Sequence, residues 1–431
     1  MKNENFENRS IKIKKQIDKS LNKSLKIIEE FQKKTIKTQR GILKDIEITK
    51  TKFTALYLLI ISLGSIVISN IRLGISIIGN WQILGISAIL FGALLGLLVG
   101  TILIDVYSNR YTPLMICLSL TGVSIILERL IFKNLELQII SGSITLLNSA
   151  IFGFVGIYLF VLFIEFTNIL ERGRIFAFLI LTAGFTILIF IVLAYLETLL
   201  IIPSIIPIIT LYYIYKNRDL KLKLKKIHKS NKLNLKNIKI DFYIIKNIPF
   251  LLNIFMLFVF GIMNGLLIPI EKATAIATNE LFQRYFFIVL IISLFILGVI
   301  TLVIGYIFDF LGRKIVVSVF ILGIGIINFI KPLLQFQGII SETPTAIASL
   351  SLIIELIILI PLITGELIKP EKYGIGILYS IIFGIGGFIF GIGLQFFVES
   401  TVGIHQLISL FCIFVLFFLA KSFKFFNVRK S

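Results

Sequence analysis

The sequence contains few of the residues from which catalytic and metal sites are usually built. Its 431 residues include two cysteines and two histidines. Cys117 and Cys412 lie in separate apolar stretches, so we predict buried thiols and neither a disulfide nor a zinc site. His228 and His405 are isolated, and no group of side chains suits acid–base or nucleophilic chemistry. The sequence therefore predicts a protein that is not an enzyme, on lipids or on other substrates, and that needs no cofactor.

The sequence also lacks a GxxxxGK[ST] motif, the loop whose backbone amides hold nucleotide phosphates. We therefore expect no ATP-driven activity from this chain alone. Residues 1 to 50 are rich in Lys, Asn and Glu and contain no uninterrupted apolar core, so we predict no cleavable signal peptide and a cytoplasmic N-terminus.

Apolar residues, by contrast, make up 57% of the chain. They form runs of about 18–25 residues between Phe53 and Ala420, each long enough to cross about 30 Å of hydrocarbon as a helix. Because lipid offers no hydrogen-bond partners, each run must satisfy its own backbone groups, which an α-helix does. The predicted fold class is an all-α integral membrane protein with about 12 transmembrane helices.

The apolar runs fall into two groups of six. The predicted spans are 53–70, 81–104, 112–132, 140–166, 174–195 and 199–215, then 249–270, 282–307, 314–334, 345–366, 373–397 and 403–421. The corresponding domains are an N-terminal arm (1–50), a first half (51–215), a linker (216–248), a second half (249–421) and a tail (422–431). The linker holds eleven Lys or Arg against two Asp, which predicts a cytoplasmic segment.

The positions of the basic residues predict the orientation. With both termini cytoplasmic, 37 of the 43 Lys and Arg residues lie in the tails, the linker and the cytoplasmic loops. The six exceptions are Arg72, Arg129, Lys133, Lys272, Arg284 and Lys331. Basic loops stay inside because translocating them is unfavourable, so the count supports twelve spans in the cell membrane with both ends inside.

The formal charge of +20 needs no nucleic-acid partner, since basic residues beside apolar spans fix membrane topology. In the N-terminal arm, Ile17, Leu21, Leu25, Ile28 and Phe31 recur at three- and four-residue intervals among lysines. This pattern predicts either an amphipathic helix on anionic lipid of the inner leaflet or a solvated tail.

The most specific motif lies between the predicted eighth and ninth spans and runs from Gly305 through Asp309 and Gly312 to Arg313 and Lys314. It resembles the signature loop of the major facilitator superfamily. In that loop a glycine permits close helix contact, an aspartate ends the helix, and a basic pair faces the cytoplasm. The resemblance implies two pseudo-symmetric six-helix bundles.

A weaker copy about 200 residues earlier keeps Asp105 and Arg110, but Thr101, Ser108 and Asn109 replace the glycines and one basic residue. This change puts in question how tightly the first loop closes the cytoplasmic side. Near-equal spacings, from Asp105 to Glu165 and from Asp309 to Glu366, are typical of a duplicated unit.

The resemblance also implies a cytoplasmic gate. Its predicted members are Gly305, Asp309, Gly312, Arg313, Lys314, Asp105, Arg110, Glu165, Arg172 and Glu366. Asp309 and Arg313 are expected to pair with neighbouring helix ends when the protein is open to the outside. Capping of helix ends and topology would account for the same residues without gating.

Glu355 is the one carboxylate predicted near the middle of the membrane, about 16 Å from the cytoplasmic end of the tenth span. Ionisation there costs roughly 2.5–3.5 kcal/mol on insertion scales, so the group is expected to be protonated until a cation or a hydrogen-bond donor comes close. This predicts a proton- or cation-coupling residue. A protonated glutamate bonded to a neighbouring helix is the alternative.

The remaining predicted site residues are uncharged. The resemblance implies that the first, fourth, seventh and tenth spans line the central cavity. Polar residues in the fourth and seventh are Thr145, Asn148, Ser149, Asn253 and Asn264. Their spacing places each set on one helix face, where it serves either substrate binding or helix packing.

The leading functional hypothesis is a secondary active transporter that moves a small neutral, cationic or amphipathic solute by alternating access, coupled to a proton or another cation. Anionic solutes are disfavoured because no Arg or Lys lies deep in the spans that line the cavity. The alternative is a transporter-like membrane sensor or scaffold without transport activity.

Overall fold

The structure is a computed structural model of the full chain. It describes residues 46–76, 82–106, 109–131, 138–168, 171–195, 201–226, 248–267, 298–309, 313–336, 365, 367–368, 372–395, 397 and 401–421. All the helices described below lie in one compact unit, Ile48–Phe423.

The described residues are almost entirely α-helical, with no β-strand among them. In the first half, the helices are α1 (Lys50–Ser76), α2 (Gln82–Val106), α3 (Tyr111–Ile131), α4 (Gln138–Phe166), α5 (Arg172–Tyr195) and α6 (Ile201–Lys216). The linker begins with α7 (Arg218–Lys226). In the second half, they are α8 (Ile248–Leu267), α9 (Gly298–Asp309), α10 (Arg313–Phe336), α11 (Tyr373–Gln395) and α12 (Thr401–Lys421).

These helices match the apolar runs of the sequence. Segments long and apolar enough to cross a membrane occur in four of them: Lys50–Ser69, Ala88–Asp105, Gly142–Phe166 and Tyr373–Leu394. Shorter apolar segments occur in α3, α6, α8, α9, α10 and α12. The all-α membrane fold predicted from the sequence is confirmed. The predicted tenth span, 345–366, lies outside the described residues apart from Gly365.

Glycines set the closest helix contacts within each half. In the first half, Gly92, Gly96 and Gly100 of α2 lie against the backbone and side chains of α4. In the second, Gly261 and Gly265 of α8 face Gly387 and Gly391 of α11. In lipid, the hydrophobic effect does not drive helices together, because the lipid tails are as apolar as the side chains. Helix association therefore depends on such close packing. The small residues therefore allow the backbones to pack directly.

Helices from the two halves also contact each other. α11 packs on α2 and α4, and α5 meets α9. The carboxylate contacts described in the next subsection lie where these helices end.

Candidate functional site: paired carboxylate clamps and buried amides

The first clamp joins the end of α9 to the start of α5. Asp309 is the last residue of α9, and its Oδ1 accepts a hydrogen bond of 2.9 Å from the backbone N–H of Gly173. Its Oδ2 accepts from the backbone N–H of Arg174 at 2.9 Å and from Arg174 Nε at 3.3 Å. The first N–H groups of a helix have no partner within the helix and carry its positive dipole end. A carboxylate from the second half therefore caps a helix of the first half.

The second clamp repeats this arrangement with the halves exchanged. Asp105, at the end of α2, accepts hydrogen bonds from the backbone N–H groups of Gly374 (2.9 Å) and Ile375 (2.8 Å), at the start of α11. Each aspartate thus binds the second and third residues of its partner helix. The sequence repeat pairs Asp105 with Asp309, and exchanging the two halves of the structure likewise relates one contact to the other.

Two glycines allow α5 and α9 to come together. A Cβ atom added to Gly173 would lie 2.9 Å from Asp309 Oδ1 and would also meet the carbonyl oxygen of Gly305. A Cβ atom added to Gly305 would meet the carbonyl oxygen of Gly173 and, at 2.6 Å, Cβ of Ala177. The close helix contact expected of Gly305 is therefore present, and its partner is Gly173.

The altered first motif still holds its aspartate in place. Thr101, which stands where Gly305 stands in the second half, is buried and donates its hydroxyl hydrogen bond to Leu97 O at 2.7 Å on its own helix. The hydroxyl group is thereby satisfied within α2. Loss of the glycine leaves the carboxylate contacts of Asp105 intact.

A buried ion pair joins the residue before α3 to the end of α4. Arg110, which is 2% exposed, donates from Nη1 to Oε1 of Glu165 at the end of α4. The second carboxylate oxygen of Glu165 is buried and has no hydrogen-bond partner in the described part of the chain. Arg172 instead bonds to Ile164 O (2.8 Å) and Thr167 Oγ1 (3.3 Å). These contacts fix the start of α3, the end of α4 and the start of α5.

The polar residues predicted in the fourth and seventh spans are all buried. Thr145, Asn148 and Asn253 are 0% exposed, Ser149 is 1% and Asn264 is 5%. Asn148 Nδ2 donates to Ser69 Oγ of α1 at 3.1 Å, while its Oδ1 has no partner within the described residues. Asn253 and Asn264 of α8 have no hydrogen-bond partner for either amide atom in this part of the structure.

Unpartnered buried amides cost stability, about 1–3 kcal/mol each, and native proteins contain few of them. Asn148 joins α1 to α4, whereas Asn253 and Asn264 lie three turns apart on α8. The structure therefore presents hydrogen-bonding groups on α4 and α8 that have no partner among the described residues.

No family model matches the sequence, and a search of curated proteins finds no match. Solved structures do match. The proton:xylose symporter XylE of the major facilitator superfamily, bound to 6-bromo-6-deoxy-D-glucose, aligns with a TM-score of 0.60 at 13% identity, over 86% of this chain and 95% of that one. The chain has the major facilitator fold.

Two further structures with this fold support the assignment. A bacterial homologue of the iron transporter ferroportin, in an outward-facing state, gives a TM-score of 0.58 at 12% identity over 88% of this chain and 100% of that chain. The human organic anion transporter MFSD10 (TETRAN) gives 0.54 at 12% identity over 86% and 98%. The structural likeness confirms the fold that the motif around Asp309 indicated.

The predicted site residues fall into three groups relative to the structure. Asp309 and Asp105 meet the opposite half, Arg110 meets Glu165, and the polar residues of the fourth and seventh spans are buried in the positions given above. Arg313 and Lys314 begin α10. Glu355, Gly312 and Glu366 lie outside the described residues, and the roles predicted for them stay predictions.

Sequence reasoning missed the partners of the two aspartates. Gly173, Arg174, Gly374 and Ile375 act mainly through backbone N–H groups, which leave no side-chain signature. Their positions at the second and third residues of a helix were the signal available, because an aspartate favours the start of a helix.

Proposed function

We propose that this protein is a secondary active transporter that works by alternating access. The observation that carries the proposal is the pair of clamps, in which Asp105 and Asp309 each join one half to the first turn of a helix in the other. Two equivalent contacts at the ends of corresponding helices are suited to closing one side of a two-half transporter.

The strength of these contacts supports a reversible gate. Hydrogen bonds to a charged group contribute about 1.5–3 kcal/mol each. Interconverting conformations must differ by only a few kcal/mol for a ligand to shift their populations. A clamp of two or three such bonds is strong enough to favour one state and weak enough to open.

The proposed solute is small and neutral, cationic or amphipathic. Asn253 and Asn264 each offer an uncharged donor and acceptor, and Asn148 offers an acceptor, without partners among the described residues. Their helices correspond to the fourth and seventh spans, which line the cavity in the family that the motif resembles. Thr145 and Ser149 are buried on the same helix as Asn148. A hydrogen-bonding solute fits this chemistry, since a ligand that completes the hydrogen bonds of buried amides binds more tightly.

Coupling is assigned to Glu355. This proposal rests on the sequence, where Glu355 stands alone in an apolar run. A carboxylate in that setting binds a proton or cation more readily than it stays charged and unpaired. The proposed location is the cell membrane, with both termini in the cytoplasm and the N-terminal arm on anionic lipid of the inner leaflet, as the distribution of basic residues predicts.

A thermal-unfolding screen tests the proposal. The purified protein and its Glu355→Gln variant are heated with a library of small solutes at two pH values. A ligand at about 100 times its dissociation constant stabilises a binder by about 2.7 kcal/mol. We expect hits from one chemical class, with a pH dependence that is lost in the variant.

Transport of the best hit into proteoliposomes under an imposed pH gradient then separates binding from coupled movement. Uptake that requires both the gradient and Glu355 supports the proposal. Absence of hits, together with equal melting behaviour of the two proteins, would point to a transporter-like sensor or scaffold.

A further inference from the structure

The short linker helix α7 is fixed to the first half by two leucines. Leu220 and Leu224 are 3% and 2% exposed and lie four residues apart, on one face of the helix. The carbonyl oxygen of Leu224 also accepts a hydrogen bond of 3.2 Å from the backbone N–H of Arg110. The helix is therefore docked at the start of α3, and its lysines have defined neighbours.

The lysines of α7 lie on two flanks of this leucine face. Lys221 and Lys225 lie over the ring of Tyr111, with Nζ 5.2 and 5.5 Å from its centroid. Lys223 lies over a different ring, that of Phe166, at 5.4 Å. The alternation follows from helix geometry, since residues two positions apart point in nearly opposite directions.

A second lysine shares the Phe166 ring. Nζ of Lys52, near the start of α1, lies 5.8 Å from the same centroid. We call this group, made of Lys52, Lys223 and Phe166, the α1–α7 lysine site. Its residues come from three helices: Lys52 from the start of α1, Phe166 from the end of α4 and Lys223 from α7.

No salt bridge within the described residues balances the positive charges of this site. Glu165 is the nearby acid, and Arg110 already binds it. Among the described residues, neither Lys52 nor Lys223 forms a salt bridge. Burial lowers the pKa of Lys223, Lys52 lowers it further, and Glu165 opposes the shift. Two ammonium groups are thus held together at an energetic cost that an anion would relieve.

We propose that the α1–α7 lysine site binds the phosphate group of an anionic phospholipid. Lys52 is the third residue of α1 and Phe166 is the last residue of α4, so the site lies where spanning helices leave the hydrocarbon and lipid phosphates lie. Leu222, which precedes Lys223, is exposed, and so are Tyr212 and Tyr215 near the end of α6; tyrosines favour the lipid–water boundary. Binding of lipid at this site does not depend on the proposed transport activity.

The predicted orientation strengthens the choice of a lipid over a free ion. The linker and the basic loops are predicted to face the cytoplasm, where the leaflet carries anionic lipid. A lipid at this boundary is already concentrated in the membrane, whereas inorganic phosphate must bind from dilute solution.

A titration with defined lipids tests the proposal. Protein in an uncharged detergent is titrated with dioleoylphosphatidylglycerol, and the rise of the apparent melting temperature gives a half-saturating concentration. We expect the double variant Lys52→Gln/Lys223→Gln to need about thirty-fold more lipid, because each lysine near anionic lipid contributes about 1 kcal/mol.

The matched control removes the same charge from the other flank of α7. The variant Lys221→Gln/Lys225→Gln is expected to shift the half-saturating concentration less than three-fold. Equal shifts in the two double variants, or no shift in either, would overturn the site. If Lys52→Gln/Lys223→Gln does not fold, Lys223→Gln alone is expected to give about a five-fold shift.

Two further titrations identify the source of the phosphate. Dioleoylphosphatidylcholine, which is zwitterionic, is expected to stabilise wild type and both variants equally. Inorganic phosphate at millimolar concentration is expected to leave the melting temperature unchanged. Stabilisation by inorganic phosphate that depends on Lys52 and Lys223 would overturn the lipid assignment in favour of a soluble ligand. None of these results bears on solute transport.

Discussion

At the scale of single residues, the clamp between α5 and α9 requires glycine at position 173. Gly173 has no Cβ, and one placed there would lie 2.9 Å from Asp309 Oδ1. Alanine at this position forces the helices apart or displaces the carboxylate, at a cost of about 1–3 kcal/mol.

We therefore predict that Gly173→Ala releases the first turn of α5. Amide hydrogen exchange in peptides that cover residues 171–176 is expected to become faster, since Gly173 and Arg174 N–H lose their acceptor. The control is Gly184→Ala on the same helix, where an added Cβ meets nothing within 4 Å. Unchanged exchange in Gly173→Ala would show that the helices accommodate the methyl group.

The ion pair of Arg110 and Glu165 gives a second prediction at this scale. Arg110→Gln leaves the carboxylate of Glu165, 13% exposed, without its cation, and breaking a buried pair in this way costs about 3–5 kcal/mol. We expect a clearly lower melting temperature. The double variant Arg110→Gln/Glu165→Gln carries no unpaired charge and is expected to recover most of the loss; equal melting of the single and double variants would contradict the pairing.

The buried amides allow stability to be separated from binding. Asn264 has no described partner, so Asn264→Leu is expected to maintain or raise the melting temperature while weakening the response to any solute found in the screen. The comparison is Asn328→Leu on α10, whose amide bonds to Ile324 O and His405 Nδ1. That variant is expected to lose stability and retain the solute response. The reverse pattern would assign Asn264 to packing.

At the scale of elements, the helices were predictable and their contacts were not. Apolar runs of spanning length gave the bounds of α2 to α6 to within two residues and those of α1 to within six, because lipid demands long uninterrupted segments. The motif around Asp309 identified a residue that meets the other half. Its partners, two backbone N–H groups 135 and 136 residues away, carry no side-chain pattern. The same holds for the meeting of Lys52 and Lys223 over Phe166.

The packing of α8 on α11 yields a prediction at the element scale. A Cβ on Gly387 would lie 2.8 Å from the backbone carbonyl carbon of Phe258, whereas a Cβ on Gly386 meets nothing within 4 Å. We expect Gly387→Ala to lower the free energy of unfolding by about 1–3 kcal/mol. Its neighbour Gly386→Ala is expected to be neutral or stabilising, by up to about 1 kcal/mol, through helix propensity. Thermal or denaturant unfolding of both variants, with equal destabilisation as the contrary result, tests this contact.

At the scale of the whole molecule, the two clamps act in parallel. Asp105 and Asp309 each carry negative charge to a helix start in the opposite half, so releasing one leaves the other in place. An asparagine at either position is nearly isosteric, yet it offers one acceptor and places an NH2 group where the second N–H needs an oxygen. Each substitution therefore weakens one clamp without changing its size.

We predict that Asp105→Asn and Asp309→Asn each shift the protein partly towards a state open at the predicted cytoplasmic side, and that the double variant shifts it furthest. Spin labels at Asn168 and Lys372, one in each half beside the helix starts, report the opening as a distance distribution. Loss of one charge-assisted hydrogen bond, at about 1.5–3 kcal/mol, changes the ratio of open to closed states at least ten-fold per clamp. Asp219→Asn, an exposed carboxylate on α7, removes the same charge and is expected to leave the distances unchanged. If the double variant keeps the wild-type distances, the aspartates serve as helix caps, and the closing force must come from the packed glycines of α5 and α9.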